Sequence, residues 1–345
     1  MAVANPGNTP VSARKGSHNR AVLIVVDTDP GVDDAFALVG LLARARRGDC
    51  RVAAIGTVHG NLPPEPGADN ALRITALLGM DVPVAVGEAK PLVGPEMQSG
   101  QIVHGEDGLG GNAGPPPTAR PTGESAADQL VRLSRQHPGE ITVLALGPLT
   151  NVAKALEIEP ELPTLVKDVV WMGGVFALPG TVGVAQEPNA WHDPEAAEQV
   201  MAAGFTLTVV PIDAVVEAWA DETWVTELAR IDNPVAEALT AWHKQYLDFY
   251  SGTLAVEYGG PGMLLYDPVA AAIALNPALA EFERHEVVVE LHGHLRGATL
   301  VDRRAVPLPG TELPRRRPVT VAVAADTARV LAELLADIAE LGRYV

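Results

Sequence analysis

Four carboxylates fall within eight residues near the start of the chain, and a short apolar run directly precedes them. They belong to Asp27, Asp29, Asp33 and Asp34, and no Lys or Arg occurs from position 21 to position 43. Two such charges about 4 Å apart repel by roughly 4 kcal/mol at an effective dielectric constant of 20. The folded protein must therefore separate these carboxylates, protonate some of them, or supply a cation.

Two kinds of chemistry fit this acidic segment, besides the ordinary use of Asp in turns and helix caps. Carboxylate oxygens are hard ligands that suit Ca²⁺ or Mg²⁺. A strand followed by Asp-x-Asp-x-Thr/Val also begins the Mg²⁺-dependent haloacid dehalogenase phosphatases. The segment resembles that motif at Asp27 and Asp29, but Gly31 occupies its last position and the Asp33-Asp34 pair is not part of it. Such a phosphatase is kept as an alternative.

The apolar pattern places the acidic segment between a buried strand and a helix. Val22 through Val26 form the fully apolar run typical of a parallel strand covered on both faces. Strand and helix patterns then alternate along most of the chain, which favours an α/β fold with a largely parallel sheet. The sequence predicts strands at 22–26, 51–58, 82–86, 141–146, 166–172, 206–210, 287–291 and 319–324. It predicts helices at 33–45, 68–78, 125–136, 235–250 and 327–342, and others that begin near positions 151, 193 and 267.

These elements predict one domain over residues 21–345, because the sequence contains no repeat and no linker between two cores. We expect a single α/β domain with a mostly parallel, Rossmann-like central sheet flanked by helices. Residues 1–20 are polar and contain Pro, Gly, Asn and Ser, which favours a disordered tail. In such sheets ligands bind beyond the carboxyl ends of the strands, where the acidic segment lies.

Charge and composition exclude several classes of partner. The chain carries 43 acidic and 25 basic residues, and its formal charge of −18 repels nucleic acid polymers and anionic membranes. No apolar run approaches the roughly 18 residues of a membrane span, and residues 1–20 have no hydrophobic core of the signal-peptide type. Cys50 is the single cysteine, so an intrachain disulfide is impossible. These features predict a cytoplasmic protein.

Further polar clusters follow the predicted strands and can share one edge of the sheet. They are His59-Gly60-Asn61, His104-Gly105, Gly147-Pro148-Leu149-Thr150-Asn151, Met172-Gly173-Gly174 and Glu187-Pro188-Asn189. Asp-Pro pairs at Asp193 and Asp267 open predicted helices, and their pattern alone does not distinguish a cap from a ligand. Tyr246 and Tyr250 lie at i,i+4 on a predicted helix, a spacing typical of core packing that also suits stacking on a base.

The acidic segment resembles the signature of the nucleoside hydrolase family, of the inosine–uridine-preferring type. That signature is a strand followed by Asp-x-Asp-Pro-Gly-x-Asp-Asp, and residues 27–34 reproduce it in full. The resemblance continues in order through the clusters just named and Asp267-Pro268, from about Val22 to the C-terminus. It implies the nucleoside hydrolase fold and the hydrolysis of ribonucleosides to a free base and ribose, in a homodimer or homotetramer.

The resemblance also implies a role for each of several residues. It implies a Ca²⁺ ion held by Asp29, Asp34, the backbone carbonyl of Leu146 and Asp267. Asp29 is also expected to be the general base for a metal-bound water, with Asp27 supporting the ligands from behind. The expected partners of the ribose are Asp33 and Asn61 at the 2′- and 3′-hydroxyls, Glu187 and Asn189 at the 5′-hydroxyl, and Met172 beneath the ring.

The reaction gives these residue types a physical reason. Cleavage of an N-glycosidic bond develops positive charge on the ribose, and anionic surroundings stabilise that charge. A divalent ion lowers the pKa of a bound water, and a nearby carboxylate takes its proton, which contributes about 10²–10⁴-fold to the rate. The departing base needs a proton or a hydrogen bond.

The sequence departs from the family pattern mainly at the departing base. Tyr266 stands where many members carry a His as leaving-group acid, and a Tyr with an ordinary pKa near 10 donates a proton more slowly at neutrality. Thr181 stands where many relatives have a ribose-binding Asn, and it retains a hydroxyl. His104 is expected to serve the leaving group or to hold its own loop. A nucleoside-binding protein with little turnover is therefore a second alternative.

Overall fold

A sheet of eight strands runs through the part of the chain that the computed structural model describes, residues 21–94, 100–304, 306 and 308–344. The predicted tail at 1–20 lies outside these residues. The strands are β1 (Val22–Thr28), β2 (Cys50–Thr57), β3 (Val84–Val86), β4 (Ile141–Ala145), β5 (Asp168–Met172), β6 (Leu207–Val210), β7 (Trp219–Asp221), β8 (Gly262–Leu264), β9 (Ala280–His285), β10 (Val287–Val289), β11 (Thr299–Val301) and β12 (Val319–Ala325). The order across the sheet is β3-β2-β1-β4-β5-β6-β12-β9, and β9 runs antiparallel to β12 whereas the other neighbours are parallel. β7 pairs with β8, and β10 with β11, in two small antiparallel units.

Helices cover both faces of the sheet. They are α1 (Val32–Arg47), α2 (Pro64–Leu77), α3 (Gln101–His104), α4 (Ala126–Gln136), α5 (Thr150–Ile158), α6 (Leu162–Leu165), α7 (Pro188–His192), α8 (Pro194–Ala202), α9 (Ile212–Val215), α10 (Glu222–Arg230), α11 (Pro234–Trp242), α12 (Lys244–Tyr258), α13 (Tyr266–Leu275) and α14 (Thr327–Leu341), with short 3₁₀ helices at Pro277–Leu279 and Gly293–Leu295. The architecture confirms the predicted α/β fold with a mostly parallel, Rossmann-like sheet. Within the described ranges, every helix is too short or too polar to cross a membrane.

The strand that precedes the acidic segment is buried on both faces. Ile24 and Val26 pack in an apolar layer with α1, α13 and α14, whereas Leu23 and Val25 pack in the opposite layer with α4, α5 and α8. Burying one such side chain contributes about 1.5–3 kcal/mol relative to exposure. This two-sided packing explains the unbroken apolar run and fixes the point at which the chain leaves the sheet.

The connection from β1 to α1 consists of Asp29, Pro30 and Gly31 alone, because β1 ends at Thr28 and α1 begins at Val32. The N–H of Gly31 donates to Oδ2 of Asp34 at 2.9 Å, which closes the first turn of α1. Negative side chains at a helix N-terminus also interact favourably with the helix dipole. The short connection therefore holds the acidic segment rigidly at the edge of the sheet.

The prediction of one helix at 235–250 is wrong, since α11 ends at Trp242 and α12 begins at Lys244. The carbonyl of Trp242 lies against Gly110, where a Cβ would come within 2.3 Å of it. The interruption thus falls where the helical segment meets the loop that follows α3. The spacing of apolar residues along the helix does not predict a contact with a residue so far away in the sequence.

The two Asp-Pro pairs, which the residue pattern leaves equivalent, take different places. Asp193 caps α8, because its Oδ1 accepts the N–H of Ala196 at 3.0 Å. Asp267 instead lies inside the first turn of α13, whose N-cap is Leu265. The Asp267 carboxylate is buried and joins the acidic residues that follow β1.

Candidate active site

A pocket lies beyond the carboxyl ends of the central strands, where the sequence predicts a ligand site. The predicted site residues that line it are Asp33, Asn61, His104, Leu146, Met172, Thr181, Glu187, Asn189, Tyr266 and Asp267. Pro188, Ile212, Tyr246 and Tyr250 complete the lining. Asp29 and Asp34 are outside the lining and fully buried, and both bond to Asn61 in the pocket wall. The structure thus brings the predicted residues together in one place.

Three carboxylates meet at one end of this pocket. Asp33, Asp34 and Asp267 each offer an oxygen, and the three oxygens lie within 4.8 Å of one another. Burial raises the pKa of Asp267 well above its usual range, and the charges of Asp34 and Asp33 raise it further. Burial and the charge of Asp34 likewise raise the pKa of Asp33 well above its usual range. The fold therefore concentrates the negative charge of the acidic segment instead of separating it.

Asp29 lies outside the pocket lining, but the charges of Asp34 and Asp33 still act on its carboxylate. Its Oδ2 accepts the backbone N–H of Asn61 at 2.7 Å, whereas its Oδ1 is buried and has no hydrogen-bond partner among the described residues. Burial, followed by the charges of Asp34 and Asp33, raises the pKa of Asp29 well above its usual range. A buried carboxylate oxygen without a partner is costly, so this atom is suited to a cation or a water.

Neighbouring polar groups bond to Asp34 and to one oxygen of Asp27, whereas Asp27 Oδ2 is buried without a partner among the described residues. Asp34 accepts hydrogen bonds from the hydroxyl of Thr28 and from the side-chain amide of Asn61, the latter at 3.2 Å. Asp27 does not line the pocket, and its Oδ1 accepts the side-chain amide of Asn151 at 2.7 Å. Burial raises the pKa of Asp27 to about 7. This placement behind the other carboxylates is consistent with the supporting role predicted for Asp27.

Gly60 packs directly on the Asp29 carboxylate, and we expect Gly60→Ala to displace it. A Cβ at Gly60 would come within 1.9 Å of Asp29 Oδ2, and the φ of +156° is one that other residues rarely adopt. The family resemblance implies that Asp29 is the general base in ribonucleoside hydrolysis. Because a displacement of about 1 Å in a reacting group can cost about 10²-fold, we expect kcat for ribose release to fall by about that factor.

Gly139 provides the matched control for this substitution. It also has a positive φ, +71°, but a Cβ there would meet nothing within 4 Å. Gly139→Ala should therefore carry the backbone strain without the clash, and its kcat should stay within about twofold of the wild type. Equal losses in the two variants would show that strain, and not the position of Asp29, explains the effect.

His104 is held in a neutral form by its surroundings. The backbone N–H of Val32 donates to its Nδ1 at 3.0 Å, and a backbone N–H can only donate. The ring must therefore carry its proton on Nε2. Burial lowers the pKa of His104 to about 3, although Asp33 Oδ1 lies 3.9 Å from Nδ1. His104 can offer a neutral N–H donor to a ligand, but it is not a charged acid at neutral pH.

Three tyrosines line the pocket beside His104. The hydroxyl of Tyr246 donates to the carbonyl of Leu264 at 2.8 Å, and the ring centroids of Tyr246 and Tyr250 are 4.8 Å apart. The ring centroids of Tyr246 and His104 are 5.1 Å apart. Burial raises the pKa values of Tyr246 and Tyr266 well above the usual range, so both keep their protons at neutral pH. The i,i+4 pair on α12 thus belongs to the pocket wall, which its spacing alone does not reveal.

The opposite part of the pocket is formed by the start of α7 and the end of β5. The carboxylate of Glu187 accepts the N–H groups of Gly174, Asn189 and Ala190 at 2.8, 2.8 and 3.0 Å, and burial raises its pKa to about 7. The amide of Asn189 donates to the carbonyls of Leu146 and Met172 at 2.9 and 3.0 Å. Glu187 and Asn189 are therefore fixed by the fold before any ligand binds.

Thr181 occupies the rim of the pocket and is exposed. Its backbone N–H donates to the carbonyl of Gln186 at 3.0 Å, and the amide of Gln186 donates in turn to the carbonyl of His294 at 2.8 Å. The rim loop is thus anchored to the turn before β11. Ile212, which sequence reasoning did not single out, also lines the pocket, and its only signal is its position after β6.

Fold and site together define an α/β enzyme with a small-molecule pocket, in which clustered carboxylates stand opposite neutral hydroxyl and amide groups. A sequence profile described as inosine-uridine preferring nucleoside hydrolase matches residues 24–332. The chain belongs to this family, as the sequence predicts, and it is a ribonucleoside N-glycosidase.

Named relatives and solved structures agree with this assignment. The chain is 35% identical to the probable uridine nucleosidase 1 of Oryza sativa over 312 residues, which cover 90% of this chain and 94% of the relative. It is 35% identical to the pyrimidine-specific ribonucleoside hydrolase RihA of Salmonella typhimurium, with coverage of 82% and 89%. A plant nucleoside hydrolase structure, the PpNRh1 enzyme, superposes with a TM-score of 0.85 at 31% identity and covers 93% of this chain and 99% of its own. Neither the phosphatase nor the binding-protein alternative is favoured by these matches.

Proposed function

We propose that the chain hydrolyses pyrimidine ribonucleosides, uridine foremost, to free base and ribose with the help of Ca²⁺. The observation that carries the metal assignment is the meeting of buried carboxylates at one end of the pocket, with Asp29 Oδ1 left without a partner among the described residues. The choice of uridine is supported by the similarity of the chain to uridine nucleosidases and to pyrimidine-specific ribonucleoside hydrolases.

The donors present suit a calcium ion. We assign Asp29, Asp34, the Leu146 carbonyl and Asp267 as its ligands, all of them hard oxygen donors. Mutual repulsion contributes to the raised pKa values of Asp29 and Asp267, and a bound cation would relieve that repulsion. When bound, the ion would lower the pKa of a water and hold it near the ribose.

The three oxygens that lie within 4.8 Å of one another belong to Asp33, Asp34 and Asp267, so Asp33 is the alternative to Asp29 as a ligand. We assign Asp33 to the substrate because its side chain lines the pocket, whereas Asp29 and Asp34 do not. Asp29 is buried behind the pocket wall with one free oxygen, which suits a ligand that is also a base. Asp33 and Asn61 then bind the 2′- and 3′-hydroxyls of the ribose.

The residues around the sugar have complementary tasks in this proposal. Asp29 accepts the proton of the attacking water, a contribution of about 10²–10⁴-fold. Glu187 and Asn189 orient the 5′-hydroxyl, and Met172 packs beneath the ring. The buried carboxylates stabilise the positive charge that develops on the ribose, because a preorganised anionic site need not reorganise during the reaction.

The base end of the pocket offers neutral hydrogen-bond donors. Tyr266 keeps its proton because burial raises its pKa, and His104 presents its N–H at Nε2. In departing uracil, negative charge spreads onto carbonyl oxygens, which accept hydrogen bonds from such donors. We therefore assign Tyr266 and His104 to stabilise the base as it leaves, a role that suits a base with carbonyl groups such as uracil.

Chelation and a substrate panel test this proposal. Purified protein should release ribose from uridine faster than from inosine or adenosine, and removal of Ca²⁺ by a chelator should lower the rate at least about 10²-fold. Added Ca²⁺ should restore the rate. Ribose assays with and without chelator measure both effects.

Other outcomes of the same assays would overturn parts of the proposal. A rate unaffected by thorough Ca²⁺ removal contradicts the metal assignment, and faster release from inosine contradicts the pyrimidine preference. Nucleoside binding without ribose release would favour the binding-protein alternative. Release of phosphate from uridine monophosphate would favour the phosphatase alternative. A cytoplasmic location and assembly into a dimer or tetramer stay expectations from the sequence.

A further inference from the structure

Asn70 on α2 bridges two segments of the active site that are far apart in sequence. Its side-chain amide donates to the carbonyl of Pro30 at 3.1 Å and to the carbonyl of Asp107 at 2.8 Å. Pro30 belongs to the connection that carries Asp29, and Asp107 to the loop that follows His104. One buried side chain thus contacts both the connection that carries Asp29, the predicted general base, and the loop next to His104, a predicted leaving-group residue.

The orientation of the Asn70 amide is fixed. Its Oδ1 accepts the guanidinium of Arg73 at 2.8 Å, so both N–H groups must point towards the two carbonyls. Arg73 also donates to the carbonyl of Pro115 at 3.1 Å. Asn70 is only 1% exposed, which protects these bonds from competition with water. Two residues of α2 therefore hold the loop at two points.

Further hydrogen bonds hold the loop between His104 and Pro115 in one conformation. The carboxylate of Asp107 accepts the N–H groups of Leu109, Gly111 and Ala113 at 2.8 to 2.9 Å, which makes the loop a compact unit. The indole N–H of Trp242 donates to the carbonyl of Asn112 at 3.0 Å. A compact loop transmits the position of one anchored point to the rest, including His104.

We propose that Asn70 is a positioning residue that couples the Asp29 connection to the His104 loop. This inference rests on the proposed roles of Asp29 and His104 in the reaction. The direct bond from the N–H of Val32 to Nδ1 of His104 joins the same two segments from the pocket side. Asn70 fixes them from the opposite side, so that both segments keep one relative position.

The substitution that tests this role is Asn70→Asp, which preserves size but presents an oxygen to two carbonyl groups. We expect kcat on uridine to fall about 10- to 100-fold, with KM changed less than about threefold, because misplaced reacting groups slow the chemical step. Asn70→Ser retains one hydrogen-bond donor, the hydroxyl, and should lower kcat by an intermediate factor. This variant tests the same role if Asn70→Asp folds poorly.

A spectroscopic measurement reports the loop directly. Release of the loop should remove the hydrogen bond from Trp242 to Asn112 and shift the tryptophan emission, and the shift should disappear in the Trp242→Phe background. The matched control is Asn233→Asp, because Asn233 is also a buried amide that donates to one carbonyl, that of Ile338, at 2.9 Å. That variant should keep kcat within about twofold and show no shift.

The outcomes separate this inference from the proposed function. An inactive wild-type protein would contradict the proposed function and not the bridge, which the fluorescence shift still tests. Folded Asn70→Asp and Asn70→Ser proteins with wild-type kcat and emission would overturn the positioning role. Equal losses of kcat in the Asn70→Asp and Asn233→Asp variants would also overturn it, since general destabilisation would then explain both.

Discussion

Replacement of Asp29 by Asn is expected to lower kcat on uridine by about 10⁴-fold while the protein stays folded. The substitution removes the proposed proton acceptor and one proposed ligand of the ion together. It preserves the size of the side chain. In the wild type, the N–H of Asn61 donates to Oδ2 of Asp29 at 2.7 Å, and Oδ1 of the new Asn can still accept this bond. Initial rates of ribose release at saturating uridine and Ca²⁺ measure the loss.

The control for this variant is Asp193→Asn. Asp193 is also buried, and burial raises its pKa, but it caps α8 and does not line the pocket. Its substitution should leave kcat within about threefold of the wild type. If the Asp29 variant retained a rate near that of the Asp193 variant, Asp29 could be neither the base nor an essential ligand.

The carboxylate part of the site could be predicted because its information is local. Asp27, Asp29, Asp33 and Asp34 lie in one short segment after an apolar strand, and the α/β order places that segment at the ligand-binding edge. The Asp-Pro pattern alone did not distinguish Asp267 from Asp193, and only the family resemblance selected Asp267 as a ligand. The fold separates the two by placing Asp267 inside the first turn of α13.

The base part of the site depends on contacts that no residue pattern records. The tautomer of His104 is set by the N–H of Val32, 72 positions earlier. Tyr246 and Tyr250 have the i,i+4 spacing of a core pair, yet both line the pocket. The helix is interrupted at His243, just before these tyrosines, where it contacts the loop that follows α3. The sequence pattern does not show this contact. Asn70 likewise reads as one polar residue in an amphipathic helix until its two carbonyl partners are known.

A second large effect is expected for Asp267→Asn, which should lower activity about 10³-fold yet stabilise the protein in chelator. In the folded chain, burial and then the charges of Asp34, Asp33 and Asp29 raise the pKa of Asp267. A carboxyl group with a raised folded-state pKa binds its proton more tightly when folded. Its contribution to stability is therefore largest at low pH and is lost as the pH rises through the raised value. A neutral Asn carries no such penalty.

Calcium should reverse the order of stability between the two proteins. An ion that binds only the folded state stabilises it by about 2.7 kcal/mol at 100 times its dissociation constant. Wild-type protein should gain this stabilisation, whereas the Asp267→Asn variant, with one ligand fewer, should gain much less. Calorimetric Tm values at pH 5 and pH 8, with chelator and with Ca²⁺, measure both effects, and the advantage of the variant in chelator should be larger at pH 8.

Asp213→Asn distinguishes mutual repulsion from a simple loss of contacts. The carboxylate of Asp213 accepts the N–H groups of Phe176, Ala177 and Leu178 at 2.7 to 3.2 Å, so its replacement should lower the Tm with or without Ca²⁺. Asp267→Asn should do the opposite in chelator, because a neutral amide avoids the cost of burying a charged carboxylate and the repulsion from Asp34, Asp33 and Asp29. If Asp267→Asn instead lowered the Tm in chelator at pH 8 as Asp213→Asn does, the carboxylates would stabilise one another without a cation. The physical reason for placing Ca²⁺ among them would then fail, even though the acidic signature is complete.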